Sequence, residues 1–212
     1  MISYLKEKRL QRKAQRLLTS GKYERAWKFF QEIILLNDSP ENQFNLALAL
    51  IALKRFQDAS FYLEKVNQNY PENELAALTL AECYLRLKLW DKASEVYRVQ
   101  LKFKPNNQSL LRYLQKSEDV VAREKYVRAR DLADAAERSA SQKQYQEARE
   151  KLEEALSYMP DDPNILNNLA ACHWRQKDYE KAFFYLEKAF KLAPGDKKIQ
   201  KNLVSVKRRL KN

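Results

Sequence analysis

The chain is poor in residues that break helices and in residues that carry most enzyme chemistry. Its 212 residues include two glycines and six prolines, which argues against turn-rich sheets and glycine-rich phosphate loops and favours long helices. His173 is the single histidine. We interpret it as a packing residue between helices, which argues against a Ser-His-Asp centre or a histidine-rich metal site. We therefore expect no enzymatic activity, no cofactor and no metal.

Cysteine and long apolar runs are also scarce. Cys83 and Cys172 fall at equivalent positions of two different repeats, so a disulfide would have to bridge distant segments, and a reducing compartment is the simpler interpretation. No apolar run reaches the roughly 18 residues of a membrane span. Residues 1–9 become charged at once, without the apolar segment of a signal peptide. We expect a cytoplasmic protein, or a soluble chain from which a signal or an anchor has been removed.

What the sequence has instead is a period of 34 residues. Ala59 and Ala93 are separated by this distance, and so are Ala148 and Ala182. The prolines repeat in the same way, at Pro71 and Pro105 and at Pro160 and Pro194. A fixed period of this size is typical of stacked helical hairpins, in which each hairpin packs only on its neighbours.

Five segments share one pattern: 7–39, 40–73, 74–107, 129–162 and 163–196. Each has a small residue on its first helix (Ala14, Ala47, Ala81, Ala136, Ala170) and another on its second helix (Ala26, Ala59, Ala93, Ala148, Ala182). An aromatic residue precedes the second alanine by three positions (Tyr23, Phe56, Trp90, Tyr145, Tyr179). A large apolar residue follows it by four (Phe30, Leu63, Tyr97, Leu152, Leu186). Small residues let two helix backbones approach, and the large residues fill the gaps beside them.

This pattern resembles the tetratricopeptide repeat (TPR), W-x2-L-G-x2-Y followed by A-x3-F and a terminal proline. The resemblance implies an all-α protein, a right-handed α-solenoid of TPR helical hairpins. Ser39–Pro40 and Asp162–Pro163 are suitable N-cap and first-turn pairs for the first helices of two repeats. TPR stacks generally bind other proteins, and some act as chaperones or assembly factors of larger complexes. The resemblance therefore implies a non-enzymatic scaffold or adaptor.

The period is interrupted once, because Ala93 and Ala148 lie 55 residues apart, which is 34 plus 21. Residues 108–142 contain neither glycine nor proline, and Asn106 and Asn107 can cap the start of a helix there. Two interpretations are open: one continuous helix over 108–142, or a helix that breaks near Ser117–Glu118–Asp119. We favour the continuous helix.

The resulting organisation has four parts. Residues 1–107 form an N-terminal TPR unit of three repeats, and 108–128 form a bridging helical insertion continuous with the next helix. Residues 129–196 form a C-terminal TPR unit of two repeats. Residues 197–212 form a basic capping helix, because Ile199, Leu203, Val206 and Leu210 make one apolar stripe on an otherwise cationic segment.

In TPR proteins the first helix of each repeat lines the concave surface that holds a partner. Carried over position by position, the resemblance implies a groove formed by Phe44, Leu48, Ile51, Leu75, Leu78, Glu82, Leu85, Arg86, Asn164, Asn167, Trp174 and Arg175. We call its leucine, isoleucine and phenylalanine members the apolar row. This row is suited to an apolar peptide or amphipathic helix. The alternative is that a tightly coiled stack, or the N-terminal helix of the chain, already covers it.

The chain is also strongly basic, with a formal net charge of +12. Cations concentrate near both ends, at Lys6, Lys8, Arg9, Arg12, Lys13 and Arg16 and at Lys197, Lys198, Lys201, Lys207, Arg208, Arg209 and Lys211. As an alternative function, these basic patches dock the protein to an anionic membrane surface or a nucleic acid. Charge that serves solubility alone is the plainer explanation, and no specific nucleic-acid motif is evident.

Overall fold

The computed structural model describes residues 2–210, which form twelve α-helices. In chain order they are α1 (Ile2–Thr19), α2 (Tyr23–Leu36), α3 (Pro40–Ala52), α4 (Phe56–Asn69), α5 (Glu74–Arg86), α6 (Trp90–Phe103), α7 (Gln108–Glu118), α8 (Val120–Ser141), α9 (Tyr145–Tyr158), α10 (Pro163–Arg175), α11 (Tyr179–Leu192) and α12 (Lys197–Leu210). No helix within these residues has the length and apolar character needed to cross a membrane. The all-α fold predicted from the repeats is confirmed.

Side-chain caps fix where the first helices of the repeats begin. Ser39 Oγ accepts a hydrogen bond from the Asn42 backbone N–H at 3.3 Å, and Pro40 occupies the first turn of α3. Asp162 Oδ1 accepts from the N–H groups of Asn164 and Ile165, each at 2.9 Å, at the start of α10. These oxygens satisfy donors that have no partner inside the helix, so the local sequence determines these helix starts.

The hairpin turns place a residue in the left-handed backbone region. Gly21 does so in the first repeat, with φ 76°. Lysines take the equivalent position in the other four repeats: Lys54, Lys88, Lys143 and Lys177, with φ between 59° and 65°. Glycine is the residue best suited to this conformation, so four turns adopt it with a side chain that disfavours it.

The alanines of the repeat pattern form the contacts between helices. All ten are at most 1% exposed. The large residue that follows each second-helix alanine is also buried, from Phe30 in the first repeat to Leu186 in the last. Close helix approach at small residues therefore holds every hairpin together, as predicted.

The helices divide into two compact units, Met1–Val120 and Val121–Asn212. The first unit has one continuous core, in which Phe30, Ile33, Leu46, Leu50 and Leu63 are almost fully buried. The second unit has two core clusters. One joins α8, α9 and α10 around Leu152, Ile165 and Leu169, and the other joins α10, α11 and α12 around Leu166 and Leu186.

The continuous helix that we favoured over residues 108–142 is wrong. Helix α7 ends at Glu118, Asp119 has extended backbone (φ −78°, ψ 118°), and α8 begins at Val120. Residues 120–128 therefore continue directly into the first helix of the fourth repeat, whereas 108–118 do not. The break follows from packing, because α7 is held to α6 by a hydrogen bond of 2.9 Å between the buried hydroxyl groups of Ser94 and Ser117. Leu110 of α7 is fully buried in the core of the first unit.

Helix α12 closes the second unit. Ile199, Leu203 and Val206 of its apolar stripe are buried in the second core cluster of that unit, while Leu210 is 43% exposed. Asp196 caps the helix, because its Oδ1 accepts from the N–H groups of Lys198 at 2.7 Å and Ile199 at 3.1 Å. The lysine and arginine side chains of α12 are exposed on its opposite face.

Candidate partner-binding site

The apolar row lies on α3 and α5, the first helices of the second and third repeats. Phe44 and Leu78 occupy equivalent positions 34 residues apart, and so do Ile51 and Leu85. All four are half-buried and pack against the core of the first unit. Leu48 is also half-buried, whereas Leu75 is 67% exposed. The row thus combines anchored side chains with accessible apolar surface at its α5 end.

The two charged groove residues of the first unit are already engaged. The Arg86 guanidinium lies 4.6 Å from the centre of the Phe56 ring, so α5 and α4 are linked by a cation–π contact. Glu82 is half-buried on the same helix. Both residues therefore lie beside the apolar row on α5 and are only partly accessible to a ligand.

The structure brings three of the predicted groove residues of the second unit together. Asn167, Trp174 and Arg175 of α10 line a cleft of about 290 Å³, whose other wall is α12. Asn202 of α12 donates a 2.8 Å hydrogen bond from Nδ2 to Asn167 Oδ1. Asn167 is only 3% exposed, and the fourth predicted residue, Asn164, is exposed and does not line this cleft.

Sequence reasoning missed the contribution of α12 to this cleft. Asn202 and Ser205 line it, but the C-terminal segment was interpreted as a capping helix and a basic patch, with no part in the groove. The available signal was the spacing of 35 residues between Asn167 and Asn202, close to one repeat. That spacing places α12 where the first helix of a further repeat would lie.

The N-terminal cations lie on an exposed face of α1. Lys6, Arg9, Arg12, Lys13 and Arg16 are exposed, and Lys8 is half-buried with Nζ 5.7 Å from the centre of the Tyr4 ring. Arg9, Arg12, Lys13 and Arg16 follow the spacing of a single helix face. This face therefore carries four neighbouring cations.

Glu7, the acidic residue of α1, points away from these cations into the protein. Its buried carboxylate accepts hydrogen bonds from the side-chain amides of Gln11, Asn37 and Asn42 at 3.0–3.2 Å. The hydrogen bond from Asn42 holds the pKa of the Glu7 carboxyl below its usual range, with a further contribution from Asn37. Glu7 therefore remains anionic and belongs to the packing between α1 and α3.

The C-terminal cations lie on α12, except Lys211, which falls outside the described residues. Lys197, Lys198, Lys201, Lys207, Arg208 and Arg209 are exposed. Two of them stack on aromatic rings of α11: Lys207 Nζ lies 5.4 Å from the centre of the Phe183 ring, and the Arg209 guanidinium lies 5.3 Å from that of Tyr179. Lys198 and Lys201 flank the cleft-lining residues Asn202 and Ser205 along the helix.

The residues with the greatest chemical reactivity lie in the core. His173 is buried with Nδ1 3.2 Å from Asp178 Oδ2 and its ring stacked on Tyr185, and burial lowers the pKa of its imidazole. Burial also raises the pKa of the Cys83 thiol to about 12 and raises that of Cys172. Within residues 2–210, no group of three histidine, cysteine, aspartate or glutamate side chains has the arrangement of a metal site.

A family model described as "Tetratricopeptide repeat" matches residues 50–117 and 139–205, which together make up more than half of the chain. The chain belongs to the tetratricopeptide repeat family. The resemblance stated from the sequence is confirmed, and five repeats fit the twelve helices observed. Proteins of this family are generally non-enzymatic scaffolds for interactions between proteins.

Solved structures of TPR proteins are similar to this chain at low sequence identity. The crystal structure of the P58(IPK) TPR domain is 18% identical over 97% of this chain and 66% of its own, with a TM-score of 0.50. MamA 41-end from Desulfovibrio magneticus RS-1 is 19% identical over 91% of this chain and 97% of its own, with a TM-score of 0.48. The TPR protein TTC0263 from Thermus thermophilus is 19% identical over 94% of this chain and 98% of its own, with a TM-score of 0.47. A search of curated proteins finds no match.

Proposed function

We propose that this TPR protein is a scaffold or adaptor that binds an apolar peptide or an amphipathic helix of a partner protein on the apolar row of its first unit. The observation that supports this most directly is the repetition of large apolar residues at equivalent positions of α3 and α5. Phe44 and Leu78 are held by the core on one side, which fixes their positions before a partner arrives. A preorganised apolar surface loses little conformational entropy on binding.

Leu75 offers the sharpest test, because its 67% exposure means that a polar replacement there should leave the fold intact. Peptides would be selected from a random library against the intact protein, and their affinity measured by fluorescence anisotropy. Peptides with apolar residues at helical spacing should be enriched, and Leu75→Glu should weaken their binding about tenfold. Phe44→Ala should also weaken peptide binding about tenfold, because it removes a ring that packs against the core of the first unit.

Leu35→Glu is the matched control. Leu35 is 86% exposed, but it lies on α2, the second helix of the first repeat, and is not a member of the apolar row. Its replacement should leave peptide affinity unchanged. Equal losses with Leu35→Glu and Leu75→Glu, or a selection that enriches no apolar peptide, would contradict the proposal.

Docking to an anionic surface through α1 is a second candidate, favoured by one observation. Four exposed cations share one face of α1 while the carboxylate of Glu7 is buried beneath it, so no acid of that helix offsets them. The protein should then sediment with phosphatidylserine-containing vesicles, and binding should fall steeply with added salt. Replacing Arg12 and Arg16 with Glu should abolish sedimentation. Binding that is insensitive to salt, or to this replacement, would remove the candidate.

A further inference from the structure

Helix α12 (Lys197–Leu210) carries charge of one sign only. Its sequence has no Asp or Glu, although the chain contains 28 acidic residues. All of its described cations are exposed: Lys197, Lys198, Lys201, Lys207, Arg208 and Arg209. Solubility does not require a single sign, because acidic side chains serve it at least as well as basic ones. The composition of α12 therefore favours a polyanionic ligand.

The cations of α12 are not neutralised by the part of the protein that the structure describes. Elsewhere an exposed cation pairs with a carboxylate, as Lys104 does with Glu74. Over residues 2–210, no cation of α12 forms such a pair. Lys207 and Arg209 contact only the uncharged aromatic rings of α11, which hold the side chains in place and leave their charge available.

Three of these cations share the face of α12 that points away from the core. Lys197, Lys201 and Arg208 are separated by four and seven residues, so they lie on one side of the helix, opposite the buried Ile199 and Leu203. At 1.5 Å per residue, their Cα atoms extend over about 16 Å of the helix axis. We call these three residues the cationic row.

A nucleic-acid duplex presents the matching array of charge. It carries one phosphate charge for about every 1.7 Å of its axis, so phosphates are available along the whole length of the cationic row. An α-helix is about 10–12 Å wide and can lie along a groove of about 12 Å, between two phosphate backbones. Contacts with phosphates position a protein without reading the sequence, so this mode of binding needs no base-reading motif.

A lipid surface fits these observations less well, because a helix that lies in a membrane interface buries an apolar face there. The apolar stripe of α12 is already packed in the core, where Ile199 is 1% exposed and Val206 is 2% exposed. Val204 and the terminal Leu210 are the apolar side chains of α12 that remain exposed. Two separated side chains provide little apolar area for insertion.

A single strand also fits less well, because such ligands stack their bases on free aromatic faces. In α11, the rings of Tyr179, Phe183 and Phe184 each lie under a lysine or arginine side chain. The aromatic surface beside α12 is thus occupied by the protein itself, and what remains available to a ligand is positive charge.

We infer that α12 binds double-stranded nucleic acid through its phosphates, with the cationic row as the principal contact. Lys198, Lys207 and Arg209 add positive charge beside the row. The site differs in chemistry and in location from the apolar row, so it goes beyond the proposed function and does not depend on it. A scaffold with both sites would bind a partner protein through one unit and a nucleic acid through the other.

The test measures fluorescence anisotropy of a short fluorescein-labelled DNA duplex of mixed sequence with the full chain, over a range of NaCl concentrations. Lys197→Gln, Lys201→Gln and Arg208→Gln are combined in one variant. It should bind about tenfold more weakly, and the slope of log K against log salt should fall in magnitude by about 2.7, since each phosphate contact contributes about 0.9. Lys197→Arg combined with Lys201→Arg keeps the charge and should change affinity by less than about twofold.

The matched control combines Lys22→Gln, Arg25→Gln and Lys28→Gln. These residues are also two lysines and one arginine, and all three are exposed, but they lie in the first unit. The control removes the same net charge and should leave the salt slope unchanged, with affinity altered by less than about twofold. Circular dichroism would verify that each variant keeps its helices.

Several results would overturn the inference. Equal losses from the two triple variants would show diffuse attraction and no site. Tighter binding of an oligothymidylate than of the duplex would assign the row to single strands, and equal competition by poly-glutamate would show that any polyanion suffices. Sedimentation with phosphatidylserine vesicles that requires the row, without duplex binding, would assign it to a membrane. Absence of saturable duplex binding would remove the site.

The outcome is separable from that of the proposed function. Leu75→Glu should leave duplex affinity unchanged, and the triple variant of the cationic row should leave affinity for the selected apolar peptides unchanged. Failure of one site therefore does not imply failure of the other.

Discussion

Glu7 is the residue on which the contact between α1 and α3 converges. Its carboxylate accepts from three side-chain amides, two of which, on Asn37 and Asn42, lie 30 and 35 residues away in the chain. Gln11 additionally donates to Asn42 Oδ1 at 2.8 Å. A buried carboxylate is stabilised by such a set of donors and would be unfavourable without them. The network therefore links the first repeat to the second.

Replacement of Glu7 by Gln should destabilise the first unit. Glutamine retains one acceptor oxygen but turns an NH₂ group towards amides that themselves donate. We expect the free energy of unfolding at neutral pH to fall by about 1–3 kcal/mol. Urea denaturation followed by circular dichroism measures this loss. Gln15→Glu, on an exposed position of the same helix, is a control that should leave stability nearly unchanged.

The contribution of Glu7 to stability should depend on pH, and the sign of this dependence follows from its pKa. The pKa of Glu7 is lowered in the folded protein, so the unfolded chain takes up the proton more readily. The contribution of Glu7 is then fully present at neutral pH and is lost as the pH falls below about 4.3. The difference in stability between the natural chain and Glu7→Gln should shrink over that range. A difference that stays constant or grows on acidification would contradict this role.

Residue-level features of the repeat were predictable where they depend on local pattern, and not where they depend on distant partners. The alanines were recognised from spacing alone, since a small residue at each helix contact is a requirement of the hairpin. The burial of Glu7 was not predictable from the sequence, because a glutamate in a segment with so many lysines and arginines is expected to be one more exposed charge. Only the fold brings Asn37 and Asn42 to it.

At the level of helices, caps and period determined most boundaries, and α7 is the exception. Its end at Glu118 has no proline or glycine to mark it. The deciding contacts are tertiary: Ser117 bonds to Ser94 of α6, and Tyr113 lies 5.7 Å from Tyr97 between ring centres. A helix anchored to a neighbour ends where that surface ends, whereas the local sequence offered the break near Ser117–Glu118–Asp119 only as one of two alternatives.

Leu110→Ala should show how much α7 stabilises the first unit. Leu110 is fully buried in the core of that unit, so its truncation leaves a cavity and should lower the free energy of unfolding by about 2–5 kcal/mol. Leu111→Ala is the adjacent control; Leu111 is 41% exposed and its truncation should cost less than about 1 kcal/mol. Chemical denaturation compares the two variants. Similar losses would mean that α7 is not part of the core.

At the scale of the whole molecule, the candidate sites differ in how far the sequence revealed them. The apolar row could be predicted because the repeat position of each residue defines the helix face that it occupies. The α10–α12 cleft could be predicted only in part. Arg175 and Trp174 belong to a recognised repeat, whereas Asn202 and Ser205 belong to a segment whose equivalence to a repeat helix is not evident from its residues.

The two units should fold when they are expressed separately. Each contains its own buried core, built from contacts inside Met1–Val120 or inside Val121–Asn212. We expect both fragments to be helical by circular dichroism and to unfold cooperatively in urea, since a stack of hairpins is stabilised by nearest-neighbour contacts.

A fragment ending at residue 107 provides the control for this boundary. It lacks α7 and leaves the surface that Leu110 covers open to water, so the core of the third repeat loses its cap. It should unfold at a lower urea concentration than the fragment ending at residue 120, by an amount comparable with or larger than the loss from Leu110→Ala. Equal stability of the two fragments would mean that α7 is a separate bridging helix and not part of the first unit. A non-cooperative transition in the fragment ending at residue 120 would contradict the independent folding of the first unit.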